Sequence, residues 1–421
     1  MINRRQFLRR GALTGGAAAL ASLGIDPRRA FADVSPGDLR FLFVFAPGGW
    51  DPLTVFAPMF GSGSVDMEAE AQTGTAGGIP FVDHEGRPSV RAFFEAWHES
   101  TLLLNGISVR SLSHEISTSM VISGSSGTDA PDWATRLASA QQAEFTLPHL
   151  VLGGPAQAGD LGTAVARTGA MGQLDGLLSG EILENGDRYD GRPSLPAEHV
   201  IDAYMARRAA GRVLGARDAL ETARTADFQA SLERTRALKD RRQDMEFVPG
   251  FDLLSQADAA LEALSLGIAR CASVAHPATW DTHANNAQQS DLFEDLFGTL
   301  AQVMERMAAR PGSTGGSQLD ETVMVVLSEM GRTPKLNGAL GRDHWPYTSA
   351  MLVGPGLSGD RVVGGWDERY YGLGVDRASG EISESADLLG TDSLGATILA
   401  LAGLDPASDL PGAEAIAGVL A

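Results

Sequence analysis

Three short runs of apolar residues constrain the fold of this chain more than any other feature. Leu39 to Ala46 reads L-R-F-L-F-V-F-A, Thr101 to Ile107 reads T-L-L-L-N-G-I, and Thr322 to Leu327 reads T-V-M-V-V-L. Each is far shorter than the roughly 20 residues that cross a bilayer. Each lacks the alternation of a strand with one wet face, so it reads as a strand buried on both sides. Ser273 to Ala275 is a shorter run of this kind, and Ala350 to Val353 is a further candidate. Segments with helical spacing lie between them: Ser89 to Glu99 through Val90, Phe93, Phe94 and Trp97, then Ser113 to Ser123, Ala257 to Cys271, and Asp291 to Ala309. Thr391 to Ala402 closes the series, with Thr391 or Asp392 as its expected N-cap. Strands alternating with helices predict an α/β chain with a mostly parallel sheet sandwiched by helices. Residues Phe60 to Gly78 and Arg310 to Gln318 read as loops. From Ala197 to Glu246 the chain is rich in Ala, Arg, Leu and Glu and has no Pro, so a helical insertion is expected over about 197–250.

Charge and cysteine content narrow the function. The 421 residues carry 33 Lys and Arg against 53 Asp and Glu, a net charge of -20. That opposes binding to a phosphate backbone, and no nucleic-acid partner is expected. The single cysteine, Cys271, excludes an internal disulfide and a Cys-based metal cluster. Asn3 to Arg9 reads N-R-R-Q-F-L-R, followed by an apolar stretch from Gly11 to Ile25 and the triplet Ala30-Phe31-Ala32. This order resembles a twin-arginine signal cleaved before Asp33. The expectation is a signal over 1–32, one α/β domain over 33–421, and a periplasmic or secreted location reached through the twin-arginine export machinery. Removing six Arg and one Asp leaves 27 basic and 52 acidic residues, a net charge of -25.

In parallel sheets, ligands gather beyond the carboxyl ends of the strands. Asp51 follows the first apolar run, Ser113-His114-Glu115 the second, Asp281 and His283 the short third, and Ser328-Glu329 the fourth; Asp343-His344 lies in the loop beyond. Imidazole nitrogen with balancing carboxylate suits a divalent ion. Asp281 and His283, two apart, point the same way in extended chain. Asp343 and His344 are adjacent and would diverge in a strand, which makes His344 the firmer ligand. Each group also has a plainer explanation: Asp51 as a turn residue, Ser113 as an N-cap, Asp281 as a cap beside a partly buried His, Asp343-His344 as a surface pair with Arg342, and Arg332 and Arg342 as structural partners of acids.

The stretches Phe43 to Asp51 (F-V-F-A-P-G-G-W-D), S-H-E at Ser113, Trp280 to Asn285 (W-D-T-H-A-N), Val325 to Asn337 (V-V-L-S-E-M-G-R-T-P-K-L-N) and Gly341 to Pro346 (G-R-D-H-W-P) resemble the alkaline phosphatase/sulfatase superfamily. Within it, the chain is similar to an exported bacterial family, domain of unknown function 1501. The resemblance implies an alkaline phosphatase-like fold and a divalent metal ion, with Zn, Mn, Mg, Ca and Fe all open. It implies Asp51, Asp281, His283, Glu329 and His344 as candidate ligands and Ser113 as the nucleophile; the reading of the residues adds Asp343 as a candidate ligand and His114 and Arg332 as candidate catalytic residues. Two departures stand out. Met330 occupies a position where the superfamily carries His, and Asp281 and His283 are closer in sequence than usual.

The function expected is hydrolysis of phosphate or sulfate esters, on a small anionic ester or a polysaccharide-type substrate. The alternative is a non-catalytic exported binding or assembly protein that retains the fold. A metal-free hydrolase built on Ser113 and His114 is weaker, because adjacent residues rarely bring hydroxyl and imidazole into bonding geometry.

Overall fold

The computed structural model describes residues 34–170, 198–241 and 250–421. The expected signal over 1–32 lies outside them, as do residues 197 and 242–249 of the expected insertion. Twelve strands are seen among the described residues: β1 Arg40–Phe45, β2 Gln72–Ala76, β3 Ile79–Asp83, β4 Thr101–Ser108, β5 His149–Val151, β6 Val165–Arg167, β7 Cys271–Ala275, β8 Thr322–Leu327, β9 Gly331–Arg332, β10 His344–Trp345, β11 Tyr347–Val353 and β12 Arg361–Gly364. The principal helices are α1 Pro52–Val55, α2 Pro88–Trp97, α3 His114–Ser123, α4 Trp133–Ala140, α5 Glu198–Leu214, α6 Ala219–Asp240, α7 Leu253–Ser265, α8 Gln288–Ala309 and α9 Thr391–Leu401.

Eight strands form one sheet in the order β12-β4-β11-β8-β1-β7-β5-β6. Every pairing in it is parallel except those of β11, which runs antiparallel to both β4 and β8. The uninterrupted apolar character of β1 is explained by its place at the centre. Phe41, Phe43 and Phe45 pack on one face, and Leu42, Val44 and Ala46 on the other. On the second face lie α2, α7 and α8 through Phe93, Leu264 and Phe297; on the first lie α3, α4 and α9 through Val121, Trp133 and Ile398. Each such side chain contributes about 1.5–3 kcal/mol on leaving water. Two helical layers therefore cover the sheet, as the alternation of elements predicts.

The differences from the sequence reading have local causes. The helix expected over Ala257 to Cys271 begins earlier, because Asp252 caps it by accepting from Ser255 N at 2.9 Å, and it stops at Ser265 ahead of Gly267 with φ +65°. The strand then starts at Cys271, two residues before the expected Ser273. The N-cap of α9 is Gly390, with no side-chain cap from Thr391 or Asp392; Thr391 is instead buried. Within the segment expected as a loop, Gln72–Ala76 pairs with Ile79–Asp83 as a hairpin. Strands β5 and β6 have three residues each, too few to carry a period.

One feature of the topology positions the site. Residue Phe45 of β1 is level with Ala275 of β7 and Leu327 of β8, so these strands end together. Strand β11 starts at the same edge, Tyr347 lying opposite Ser108 at the end of β4. The connection from β8 to β11 leaves and re-enters the sheet at this rim, and it carries Glu329, Arg332, Asp343 and His344.

Burial also settles the behaviour of the lone cysteine. Cys271 is fully buried in the central sheet, and burial pushes its thiol up to about 12. A thiolate-seeking disulfide reagent at pH 8 is expected to leave the native protein unlabelled and to modify one thiol per chain in denaturant, followed by absorbance.

Candidate metal centre

The rim is drawn together by the turn after β1. Gly48 and Gly49 have φ of +112° and +80°, which L side chains rarely adopt. A Cβ on Gly48 would lie 2.7 Å from the amide nitrogens of Trp280 and Asp281, so glycine is what lets the β1 and β7 loops touch. Behind them, Trp50, Trp280, Phe293 and Phe56 form an aromatic cluster with ring centroids 4.8–6.5 Å apart. It fixes the Trp280 loop from below.

Arg332 on β9 is wholly buried and joins the loops from within. Its Nε donates to Gly49 O at 2.9 Å, one terminal nitrogen to Arg342 O at 3.2 Å, and the other to Gly48 O, to Trp280 O at 3.3 Å and to the Asp281 carboxylate at 2.6 Å. Burial alone would raise the Asp281 carboxyl, but the Arg332 hydrogen bond and charge outweigh it and hold Asp281 below the usual carboxylate range.

Three imidazoles surround Asp281. His344 Nδ1 lies 2.7 Å from Leu112 O, and a carbonyl only accepts, so that nitrogen carries the proton. His114 Nδ1 meets Glu329 Oε1 at 2.8 Å, an oxygen that also accepts from Gly48 N at 2.7 Å. His283 Nδ1 meets Asp343 Oδ1 at 2.9 Å, where hydrogen bonds from His283 and Asn337 hold the carboxyl below its usual range. All three protons thus point away from the centre, and the Nε2 lone pairs turn inward. The Nε2 atoms of His283 and His344 are 2.9 Å apart, and those of His283, His344 and His114 lie 3.2, 3.4 and 3.5 Å from the Asp281 oxygens. His114 Nε2 is buried and has no hydrogen-bond partner among the described residues. Donor atoms of His114, Asp281 and His344 all lie within 4.8 Å of one another, and such a group can hold a metal ion. Facing lone pairs repel unless a cation or a proton lies between them, so the donor set fits a divalent ion.

Not every expected residue falls in this group. The structure brings together His114, Asp281, His283 and His344, and it places His114, expected as catalytic, among the residues whose donor atoms could hold a metal ion. Glu329 is not turned to the centre as a ligand; it is the carboxylate that orients His114. Asp343 orients His283 in the same way, as adjacency to His344 on β10 requires of side chains that diverge. Asp51 lies elsewhere. It is 1% exposed, its Oδ1 accepts from Leu53 N at the start of α1, and its Oδ2 takes Asn286 Nδ2 at 2.8 Å and the Arg342 guanidinium at 3.0 Å. Its charge is paired with Arg342, and it stands at the N-cap of α1, as the plainer explanation has it bonding its own backbone. Arg332, expected as catalytic, is closed off from any substrate by its burial. Ser113 caps α3 by backbone position, but its side chain makes no capping bond, and its hydroxyl remains exposed beside His114. Met330 is fully buried, out of the site.

Sequence reasoning missed Gln289. Fully buried on α8, it accepts from Asp51 N at 3.0 Å and donates to Trp280 O at 2.8 Å and Thr282 Oγ1 at 3.1 Å. Its signal was present, since it falls on the same helical face as Phe293, Leu296 and Leu300. The Leu112 carbonyl had no sequence signal.

The arrangement has measurable consequences. Replacing Glu329 with Gln is expected to weaken Zn binding about 10- to 100-fold in a chelator competition, whereas His344→Ala abolishes it. In metal-free protein the Glu329 hydrogen bond raises the His114 pKa above the ordinary imidazole value. The stabilisation from this pair is therefore complete below about pH 6.5 and is lost as pH rises through the raised value. NMR titration should place His114 above that reference, with Glu329→Gln lowering it.

Solved structures with some likeness include one described as "Crystal structure of Ps i-CgsB in complex with k-i-k-neocarrahexaose", with a TM-score of 0.37, 10% identity, and coverage of 89% of this chain and 74% of that chain. Another is described as "Structure of BT4656 in complex with its substrate D-Glucosamine-2-N, 6-O-disulfate", with a TM-score of 0.35, 11% identity, and coverage of 89% and 79%. No curated protein matches the chain. Residues 184–412, more than half of the chain, match a described family. The chain is a member of that family, Protein of unknown function (DUF1501).

Proposed function

We propose that this protein is an exported, metal-dependent hydrolase of phosphate or sulfate esters, built on an alkaline phosphatase-like fold. One observation carries the reading: three imidazoles whose Nδ1 protons are held outward by Glu329, Asp343 and the Leu112 carbonyl, with their Nε2 atoms gathered around Asp281. A centre rich in nitrogen favours Zn, Mn or Fe over Mg and Ca, which prefer all-oxygen shells. His114, Asp281 and His344 would hold the ion, with His283 beside them. The signal-like N-terminus supports export to the periplasm or beyond through the twin-arginine machinery.

The residues divide the work as follows. Arg332 fixes Asp281 in its ionised form, and Glu329 and Leu112 fix the tautomers of His114 and His344. A bound divalent ion would supply Lewis acidity, polarising an ester oxygen and favouring an ionised Ser113 hydroxyl. Ser113 sits at the N-terminus of α3, where unpaired N–H groups and the helix dipole favour negative charge. In this reading it is the group that would attack phosphorus or sulfur. The chain's net charge repels anions at long range, so an anionic ester is drawn only within a screening length of about 8 Å.

A non-catalytic exported binding or assembly protein is the second reading. Buried Met330 favours it, as do Val200, Ile201 and Tyr204, which α5 leaves at least half exposed. The two readings differ in metal content and turnover. For the hydrolase, elemental analysis of the purified mature protein should give at least one tightly held ion per chain. One or more of a panel of aryl phosphate and sulfate esters should turn over, and Ser113→Ala should lose about a thousandfold or more in kcat with its metal retained. Less than one ion per chain sinks the hydrolase; full activity in Ser113→Ala removes Ser113 as nucleophile.

A further inference from the structure

Beside the candidate metal centre lies a cleft of about 400 Å³. Its walls are the segments that carry the centre: Asn285 follows His283 by two residues, and Arg342 immediately precedes Asp343.

The lining chemistry selects the occupant. Three carboxylates line the cleft, and each already has a cation: Asp51 has Arg342 at 3.0 Å, Asp66 has Lys335 at 2.9 Å, and Glu68 has the buried Arg87 at 2.5 Å. No unpaired carboxylate is left for a cationic ligand, and the excess of acid over Arg342 in the lining opposes an anionic one. What remains are neutral groups without partners among the described residues. Thr54 lines the cleft at only 6% exposure, and its hydroxyl makes no hydrogen bond; the Asn285 amide is likewise free and exposed. Both groups donate and accept, as sugar hydroxyls do. The apolar part is supplied by Leu336 and by Leu340, which is 68% exposed and held at φ +57°, a conformation uncommon for a bulky residue. None of the lining residues belongs to a strand, so no sheet edge is offered to an extended peptide.

We propose that this cleft binds a neutral, hydroxyl-rich carbohydrate unit, the polar edge of the ring against Thr54 and Asn285 and its apolar face on Leu336 and Leu340. The inference rests on the hydrolase reading for the ester that would lie at the metal centre, and on the cleft alone for the sugar. The substrate would then be a glycan bearing a charged ester, its charged group at the imidazoles and its uncharged neighbour here.

The test uses the mature protein, after chelator treatment, titrated calorimetrically with cellohexaose, laminarihexaose, mannohexaose and chitohexaose, and with hexaglycine as the peptide control. At least one sugar is expected to bind with Kd under about 1 mM, roughly 4 kcal/mol. Ala69→Trp, which fills the exposed mouth of the cleft, should weaken it at least tenfold, and Thr54→Val about threefold to tenfold, the worth of one hydrogen bond. The inference is overturned if no sugar binds with a Kd below about 1 mM, if hexaglycine alone binds, or if Ala69→Trp binds as the parent does. Because the protein is metal-free, failure of the hydrolase reading leaves this result unaffected, and failure here leaves the metal analysis intact.

Discussion

A guanidinium shut away from water holds the rim of this sheet together. Arg332 touches the turn after β1, the loop after β7 and the segment entering β10, and its one charged partner is Asp281. Placing such a cation in the interior is costly unless every donor is used, and here all three nitrogens find acceptors. Removing Asp281 would strand the buried guanidinium without its charged partner, which is destabilising. It also aims Asp281 outward, so the same bond that stabilises the rim presents a carboxylate to the imidazoles.

The histidines follow from a second constraint, the direction of their protons. An imidazole in water is indifferent to which nitrogen carries the hydrogen; here Glu329, Asp343 and the Leu112 carbonyl decide it. The consequence is a concentration of lone pairs that only a cation or proton relieves. The long-range field does not do this work. An acidic chain repels anions at a distance, whereas the centre and its orienting carboxylates act over a few ångströms, inside the screening length.

Legibility from sequence was uneven for physical reasons. The central strands could be read because burial on both faces removes the polar residues that would blur the pattern, as in T-V-M-V-V-L for β8. The helices were legible through their apolar spacing, though their ends moved with caps such as Asp252, which sequence offered only as one acid among many. Among the candidate residues, Asp281, His283 and His344 were named from their positions after or beyond strands, and they lie together in the structure. Asp51 and Glu329 stand after strands too, yet one is consumed by Arg342 and Asn286 and the other by His114 and Gly48. Residue type and position after a strand cannot separate a carboxylate facing a centre from one facing an arginine.

The sequence by itself determined the layered α/β architecture, the rim on which polar groups gather, and the absence of an internal disulfide, since these follow from local periodicity and composition. Tertiary structure alone decided which groups meet. His114 reaches Asp281 because β4 and β7 deliver their loops to one edge, and Gly48 admits those of β1 and β7 to contact. Those distances depend on strand order and on the antiparallel turn-back of β11, which no neighbouring residue encodes, because strand pairing is a contact between segments far apart in the chain.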